Sequence, residues 1–334
     1  MRTLTLGALF ACLVACAGGA PSTPARPAST TIQVGPNPAG IAVGDGAAWV
    51  AQAADGTVAR IDLAGDRVSR TIKVGEPGAL RAAGCGAESI HAVPHGSFKV
   101  RRCDLPKAVA AVPGAVWASK NDSDALVRID PRTDRVAASI QIGIDAWYLA
   151  ASPTAVWATD FYRDTVVHVD PVAGRVVATI TGLPYGPSGI AIAGDSVWVA
   201  SSRADVVSRI DAATDRVVAT LPVDHVPLPV VYAYGSVWVR SEMSEGNGTV
   251  TRIDPGENRV LAKIPVGPGA GRDGLDGMAA TDAGLWVAGL RLQRIDRRAN
   301  QVTAANNHTC NAVTSGAGSL WTIDIGYSVT RLTV

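Results

Sequence analysis

Seven tryptophans (Trp49, Trp117, Trp157, Trp198, Trp238, Trp286 and Trp321) recur along this chain, each inside the same short phrase. A Pro/Gly-rich approach leads into an apolar run, a Gly-containing turn and an apolar–Trp–apolar triplet. A polar loop, Arg-Ile-Asp, a second turn and Arg-Val-x-Ala-x-Ile complete the phrase, most fully at residues 187–223. The tryptophans stand 68, 40, 41, 40, 48 and 35 residues apart. The unit is therefore about 40 residues, the length of a four-stranded propeller blade. A unit of that size cannot bury its faces alone and must stack on its neighbours. The 334 residues are thus expected to form one ring instead of two ordinary domains.

The β-branched, alternating pattern makes the fold all-β, a seven-bladed β-propeller of four-stranded blades. In the best copy, strand a is read at 189–193, b at 196–201, c at 206–211 and d at 216–223. The turns between c and d open on Asp130, Asp170, Asp211 and Asp254, three of them followed by Pro. Asp there accepts a backbone N–H and Pro presets the next φ, so these carboxylates are read as structural. The last unit stops at 329–332, a strand c without a strand d. Residues 31–35 match the strand d endings at 71–75 and 139–143. The N-terminal strand is therefore expected to close the last blade, giving a propeller over 31–334 and removing two open edges.

The tryptophans themselves are read as packing between blades. Each removes about 150–250 Å² from water, an upper bound of about 5 kcal/mol at about 25 cal/mol per Å². Facing a neighbouring sheet, they cannot also line a ligand site.

Residues 1–16 read as a lipoprotein signal peptide: Met1-Arg2, an apolar stretch too short to span a bilayer, then Leu13-Val14-Ala15-Cys16. That ending resembles the bacterial lipobox and makes Cys16 the expected lipidated residue; an ordinary secretory signal is the alternative. Residues 17–30 read as a flexible tether. The expected location is the cell envelope, outside the cytoplasm. There disulfides persist, and Cys85 and Cys103 bracket an insertion at about 79–105 and are the expected pair. Cys310 is then odd, or is the partner of either. The net charge of +1 and the lack of a basic run exclude a nucleic-acid footprint. They leave membrane contact to the lipid anchor alone.

On the propeller, d–a and b–c loops share one face around the central channel, and that is where variation is expected. Ten residues before each blade tryptophan stand Ala39, Lys107, Trp147, Ser188, Leu228, Asp276 and Asn311. Three residues after it stand Gln52, Lys120, Asp160, Ser201, Ser241, Gly289 and Asp324. Scaffold positions repeat while these differ, as a ligand site would make them; drift on a solvated rim gives the same pattern. Trp147 is the one tryptophan out of phase. It stands in Asp145-Ala146-Trp147-Tyr148 and is expected to meet Asp160-Phe161-Tyr162-Arg163 at the mouth. The candidate ligand residues are thus Trp147, Asp145, Tyr148, Asp160 and Tyr162, with Lys107, Lys120, Ser188, Asp276, Asn311 and Asp324 around them. An aromatic wall with carboxylates suits a sugar, an aromatic ring or a cation. The alternative is that Trp147 plugs the mouth.

His225, Asp276 and Glu242 are weak candidates for acid–base work. His91 and His95 lack a carboxylate to complete a metal set, and His168 replaces the Arg of Arg-Ile-Asp as scaffold. No metal site, phosphate loop or nucleophile elbow is read.

The phrases Pro-x-Gly-Ile at 187–190, Val-Trp-Val-Ala at 197–200, Val-Arg-Ile-Asp-Pro-x-Thr at 127–133 and Val-x-Ala-Thr-Ile at 176–180 are similar to those of YVTN-type and streptogramin B (virginiamycin B) lyase-like seven-bladed propellers. The resemblance covers nearly all of 31–334 and rests on scaffold residues. It implies the propeller fold. For the lyase branch it also implies His and Glu residues holding a divalent metal at the channel mouth, opening a cyclic depsipeptide by elimination. Of the equivalent positions here, only His225 comes near, so no catalytic residue carries over. The leading reading is an envelope-anchored, monomeric binding protein without a cofactor, its small-molecule, glycan or protein partner held at the channel mouth. A Mg²⁺-dependent lyase and a non-catalytic scaffold in an envelope assembly are the alternatives.

Overall fold

A computed structural model describes residues 29–75, 88–93, 96–101, 105–121, 123–242, 246–270, 277–325 and 328–334, with the backbone alone over 88–101. The fold is all-β. Seven antiparallel sheets of four strands each follow one another in chain order around a ring. In blade 4 the strands are Pro187–Ala193, Ser196–Ser201, Val206–Asp211 and Arg216–Pro222. Alternation decides these boundaries, because each strand places every second side chain between blades.

Blade 7 takes its first three strands from the C-terminal end, Cys310–Gly316, Ser319–Asp324 and Ser328–Thr333. Its fourth is Ser29–Gln33, paired through Thr31↔Thr330 and Ile32↔Val329. The ring is thus closed by hydrogen bonds between the two ends of the chain. The closing strand starts at Ser29, so two residues assigned to the tether belong to the blade. Within the insertion, Glu88–Val93 and Gly96–Arg101 form a separate two-stranded sheet. Cys16, Cys85, Cys103 and Asp276 lie outside the described residues.

The seven blade tryptophans are buried, six of them at 1% exposure or less and Trp286 at 8%. Each packs among small and β-branched residues; Trp117, for example, meets Val156, Ala158 and Val169 of blade 3. Beside them runs a second seam. In blades 1, 5, 6 and 7 the Arg of Arg-Ile-Asp lies over the tryptophan of its own blade, as Arg252 does at 5.0 Å from the Trp238 centroid. In blades 4, 5 and 7 the far end of this Arg bonds the c–d turn of the next blade. Arg209 donates to Pro255 O and Asn258 Oδ1, and Arg252 to Arg297 O and Asn300 Oδ1. Arg331 reaches Leu63 O at 2.8 Å and Asp66 Oδ1 at 2.9 Å, tying the closing blade to the first. The acceptors are Asp or Asn because those turn residues have positive φ, 45° at Asp66 and 52° at Asn258 and Asn300, where short polar side chains are tolerated. In blade 3 His168 takes this place. Its ring stacks on Trp157 at 4.1 Å and 10°, and Nδ1 lies 2.9 Å from Asp215. Blade 2 departs from the pattern, since the next turn carries Gly174 and Arg128 makes only a 3.5 Å contact with Gly114 O.

The Asp residues that open the c–d turns accept backbone N–H groups, Asp130 from Arg132 and Asp296 from Arg298 and Ala299. Those N–H donors hold the carboxyls of Asp130, Asp170 and Asp296 below the usual carboxylate range.

Candidate functional site

Strand a of every blade faces the ring axis, and together the seven enclose a channel of about 530 Å³. Its wall is mostly aliphatic, with Ile41, Leu149, Ile190, Val230 and Val313 each from a different blade. Strands a can approach one another this closely because glycines stand where they cross. A Cβ on Gly189 would lie 1.8 Å from Leu228 O, and one on Gly277 2.7 Å from Val313 N. The Gly of the Pro-x-Gly-Ile phrase is therefore a packing requirement of the channel.

Among the described residues the channel wall carries one charged side chain, Lys107, and two aromatic ones, Trp147 and Tyr148. They come from neighbouring blades 2 and 3. Trp147 precedes strand Tyr148–Ala151, and its backbone N–H donates to Thr159 O at 3.0 Å. Lys107 Nζ stands 3.0 Å from the Trp147 ring centroid, a cation–π contact. Tyr162 meets the Trp147 ring edge-on at 5.6 Å and 75°, and Phe161 lies tilted at 6.1 Å. Burial, ahead of the opposing pull of Arg203, raises the Tyr162 hydroxyl above its ordinary pKa, so it keeps its proton at neutral pH.

The carboxylates near this cluster turn inward. Asp160 is fully buried and accepts from the backbone N–H groups of Asp145, Tyr162 and Arg163 and from Arg163 Nη1 at 2.6 Å. It therefore joins the d–a loop that carries Trp147 to the b–c loop that carries Tyr162. Asp145 Oδ2 accepts from Trp147 Nε1 at 3.3 Å. The ion pair with Asp160, after the cost of burial, raises the Arg163 pKa further.

The other sequence candidates divide by position. Ser188 does not face the channel. It is fully buried, and its Oγ donates to Ala200 O and Pro227 O, while Gly189 beside it lines the wall. Asn311 is half-buried next to the lining residue Ala312, and Lys120 is half-buried at the end of Ala115–Lys120. Asp324 sits at the closing blade and is held by His308 Nε2 at 3.0 Å, Thr322, Ser328 and Thr330. His225 is exposed and its Nδ1 lies 3.0 Å from Asp205 Oδ2; the Glu242 backbone N–H donates to Val226 O beside it. Among the described residues no three His, Cys, Asp or Glu side chains gather as a metal donor set.

Two contributors escaped the sequence reading, Arg203 and Tyr185. The Arg203 guanidinium carbon lies 4.7 Å from the Phe161 centroid and 4.9 Å from the Tyr185 centroid. A signal for the first existed, because Arg203 follows Trp198 by five residues as Tyr162 follows Trp157.

No family model and no curated protein matches the chain. Among solved structures, a chain of Kuenenia stuttgartiensis hydrazine synthase is similar, with a TM-score of 0.68 and 14% identity. The match covers 95% of this chain and 99% of that one. At that identity the likeness shows the seven-bladed propeller fold.

Proposed function

We propose that this chain is an envelope-anchored binding protein that holds its ligand at the channel mouth, over Trp147 and Lys107. The observation that carries this reading is the asymmetry of the channel. Among the described residues, seven strands build the wall mostly from aliphatic side chains, and one sector offers a cation on an aromatic ring. An apolar cavity with a few convergent polar groups is what a small-ligand site requires. The loops that present the sector are fixed by buried Asp160, so the site is organised before a ligand arrives.

Lipidation at Cys16, export, the Cys85–Cys103 disulfide and membership of the YVTN-type or streptogramin B lyase-like propellers belong to the same proposal. The lipobox-like ending and the four quoted repeat phrases support them. The lyase alternative is tested separately, by calorimetric titration with Mg²⁺ and Mn²⁺ and an assay for opening of a cyclic depsipeptide lactone. No metal heat and no ring opening would exclude it.

The binding reading is tested by screening glycans and small aromatic compounds by tryptophan fluorescence against the chain and its Trp147→Ala variant. A response that disappears in the variant supports the mouth; one that persists moves the site elsewhere. Fractionation of a Cys16→Ser variant tests the anchor, which predicts release from the membrane fraction.

A further inference from the structure

The aromatic cluster at the mouth ends in a cation that is held in place by rings. Arg203 lies in the b–c loop of blade 4, two residues beyond strand Ser196–Ser201. Its guanidinium touches the faces of Phe161 from blade 3 and Tyr185 from the adjoining d–a loop. Nη1 donates to the Tyr185 hydroxyl, and the Arg203 backbone N–H donates to Tyr185 O at 3.2 Å. Among the described residues no Asp or Glu oxygen pairs with Arg203, and the side chain remains exposed.

The neighbouring acids are committed to the loops instead. Asp160 is filled by Arg163 and three backbone N–H groups. Asp164 is buried and accepts from Gly186 N–H at 3.0 Å. Among the described residues the mouth therefore presents the Arg203 guanidinium on aromatic faces, while Asp160 and Asp164 are turned into the loops. That arrangement disfavours a cationic ligand, one of the classes the sequence allowed.

We propose that Arg203 is the anion-recognition residue of the mouth, selecting ligands that carry an oxyanion, carboxylate or phosphate, on a ring-shaped body that reaches Trp147. The proposal deepens the binding reading above and rests on it. A guanidinium offers paired N–H donors that match carboxylate and phosphate geometry. Stacking between two rings removes much of the rotamer freedom that binding would otherwise have to freeze. Aromatic walls also exclude water on two sides, which strengthens the attraction to an anion.

The test titrates the full chain with four probes that each carry one phenyl ring: benzoate, phenyl phosphate, neutral benzyl alcohol and benzyltrimethylammonium. At least one anion is expected to bind about tenfold or more tightly than benzyl alcohol, with the cation weakest. Arg203→Ala should bring that anion down to the level of benzyl alcohol and leave benzyl alcohol unchanged. Arg203→Lys, which keeps the charge but loses the planar fork, should fall between. Added salt should weaken the anion and not the neutral probe. Whichever anion binds more tightly names the oxyanion. Equal binding of anion and neutral probe, both abolished by Trp147→Ala, would overturn the role of Arg203 and leave the mouth reading standing. Binding that survives Trp147→Ala would overturn the mouth reading itself. Failure of all four probes to bind would overturn the proposal.

Discussion

Lys107 Nζ lies 3.0 Å from the centroid of the Trp147 ring, although the two residues enter the channel from different blades. Trp147 is partly exposed, whereas the blade tryptophans are 8% exposed or less. Acrylamide should therefore quench one tryptophan in the folded protein. Trp147→Phe should remove that quenchable fraction, and Lys107→Ala should enlarge the quenching constant by uncovering the ring. Quenching unaltered by Trp147→Phe would contradict the arrangement.

Among the described glycines, Gly189 leaves the least room for a side chain. A methyl group there would overlap Leu228 O at 1.8 Å, and the nearest atoms, from Leu228 and Pro229, are all backbone and cannot easily adjust. Gly189→Ala should destabilise the fold by about 3 kcal/mol, at the upper end of what overpacking costs. Gly65→Ala, whose Cβ would meet only the flexible Arg67 side chain at 3.4 Å, should stay within about 0.5 kcal/mol of the parent. Urea unfolding midpoints compare the two.

Arg331 and Arg128 occupy the same place in blades 7 and 2 but do different work. Arg331 makes two hydrogen bonds to blade 1, whereas Arg128 makes one long contact with Gly114 O. Arg331→Met should cost about 1–2 kcal/mol, reduced from the value of a buried pair by partial exposure. Arg128→Met should cost less than about 0.5 kcal/mol. Equal losses in thermal unfolding would show that the seam between blades 7 and 1 gains nothing from the Asp66 pairing.

Asp324 makes the closing blade sensitive to acid. Burial raises its pKa, but hydrogen bonds from His308, Thr330 and Thr322 outweigh that, and the net shift is downward. A carboxyl whose folded pKa is depressed contributes stability that is fully present above its unfolded pKa. That contribution is lost as pH falls through the folded value. The melting temperature of the parent should thus drop on acidification from about pH 4 downward. Asp324→Asn should melt lower at pH 7, and its deficit should shrink over that acid range. A deficit that is constant from pH 7 to the acid limit would refute this.

The ring was legible in the sequence because a propeller repeats its own solution. The strands read at 196–201 and 206–211 are the observed ones, and the match of 31–35 to other strand d endings anticipated closure by the N-terminal strand. Boundaries moved where backbone pairing continues past the pattern, as at Ser29. The site was legible in part. Trp147 stood out of register, and its convergence with Phe161 and Tyr162 followed from the loop geometry. Side-chain direction was not legible. Ser188 and Asp160 occupy the expected positions along the chain, yet the first turns between blades and the second is consumed by loop N–H groups. Arg203 was missed because its meaning depends on Phe161 and Tyr185, which lie 42 and 18 residues away in sequence.

The central claim is that ligand meets this propeller at Trp147 and not between its blades. Incorporation of 5-fluorotryptophan gives eight ¹⁹F signals, one for each tryptophan, assignable by single Trp→Phe variants. Titration with the ring-bearing probes above should shift the Trp147 signal and leave the seven blade signals in place. A shift at any blade tryptophan with Trp147 unmoved would contradict the account.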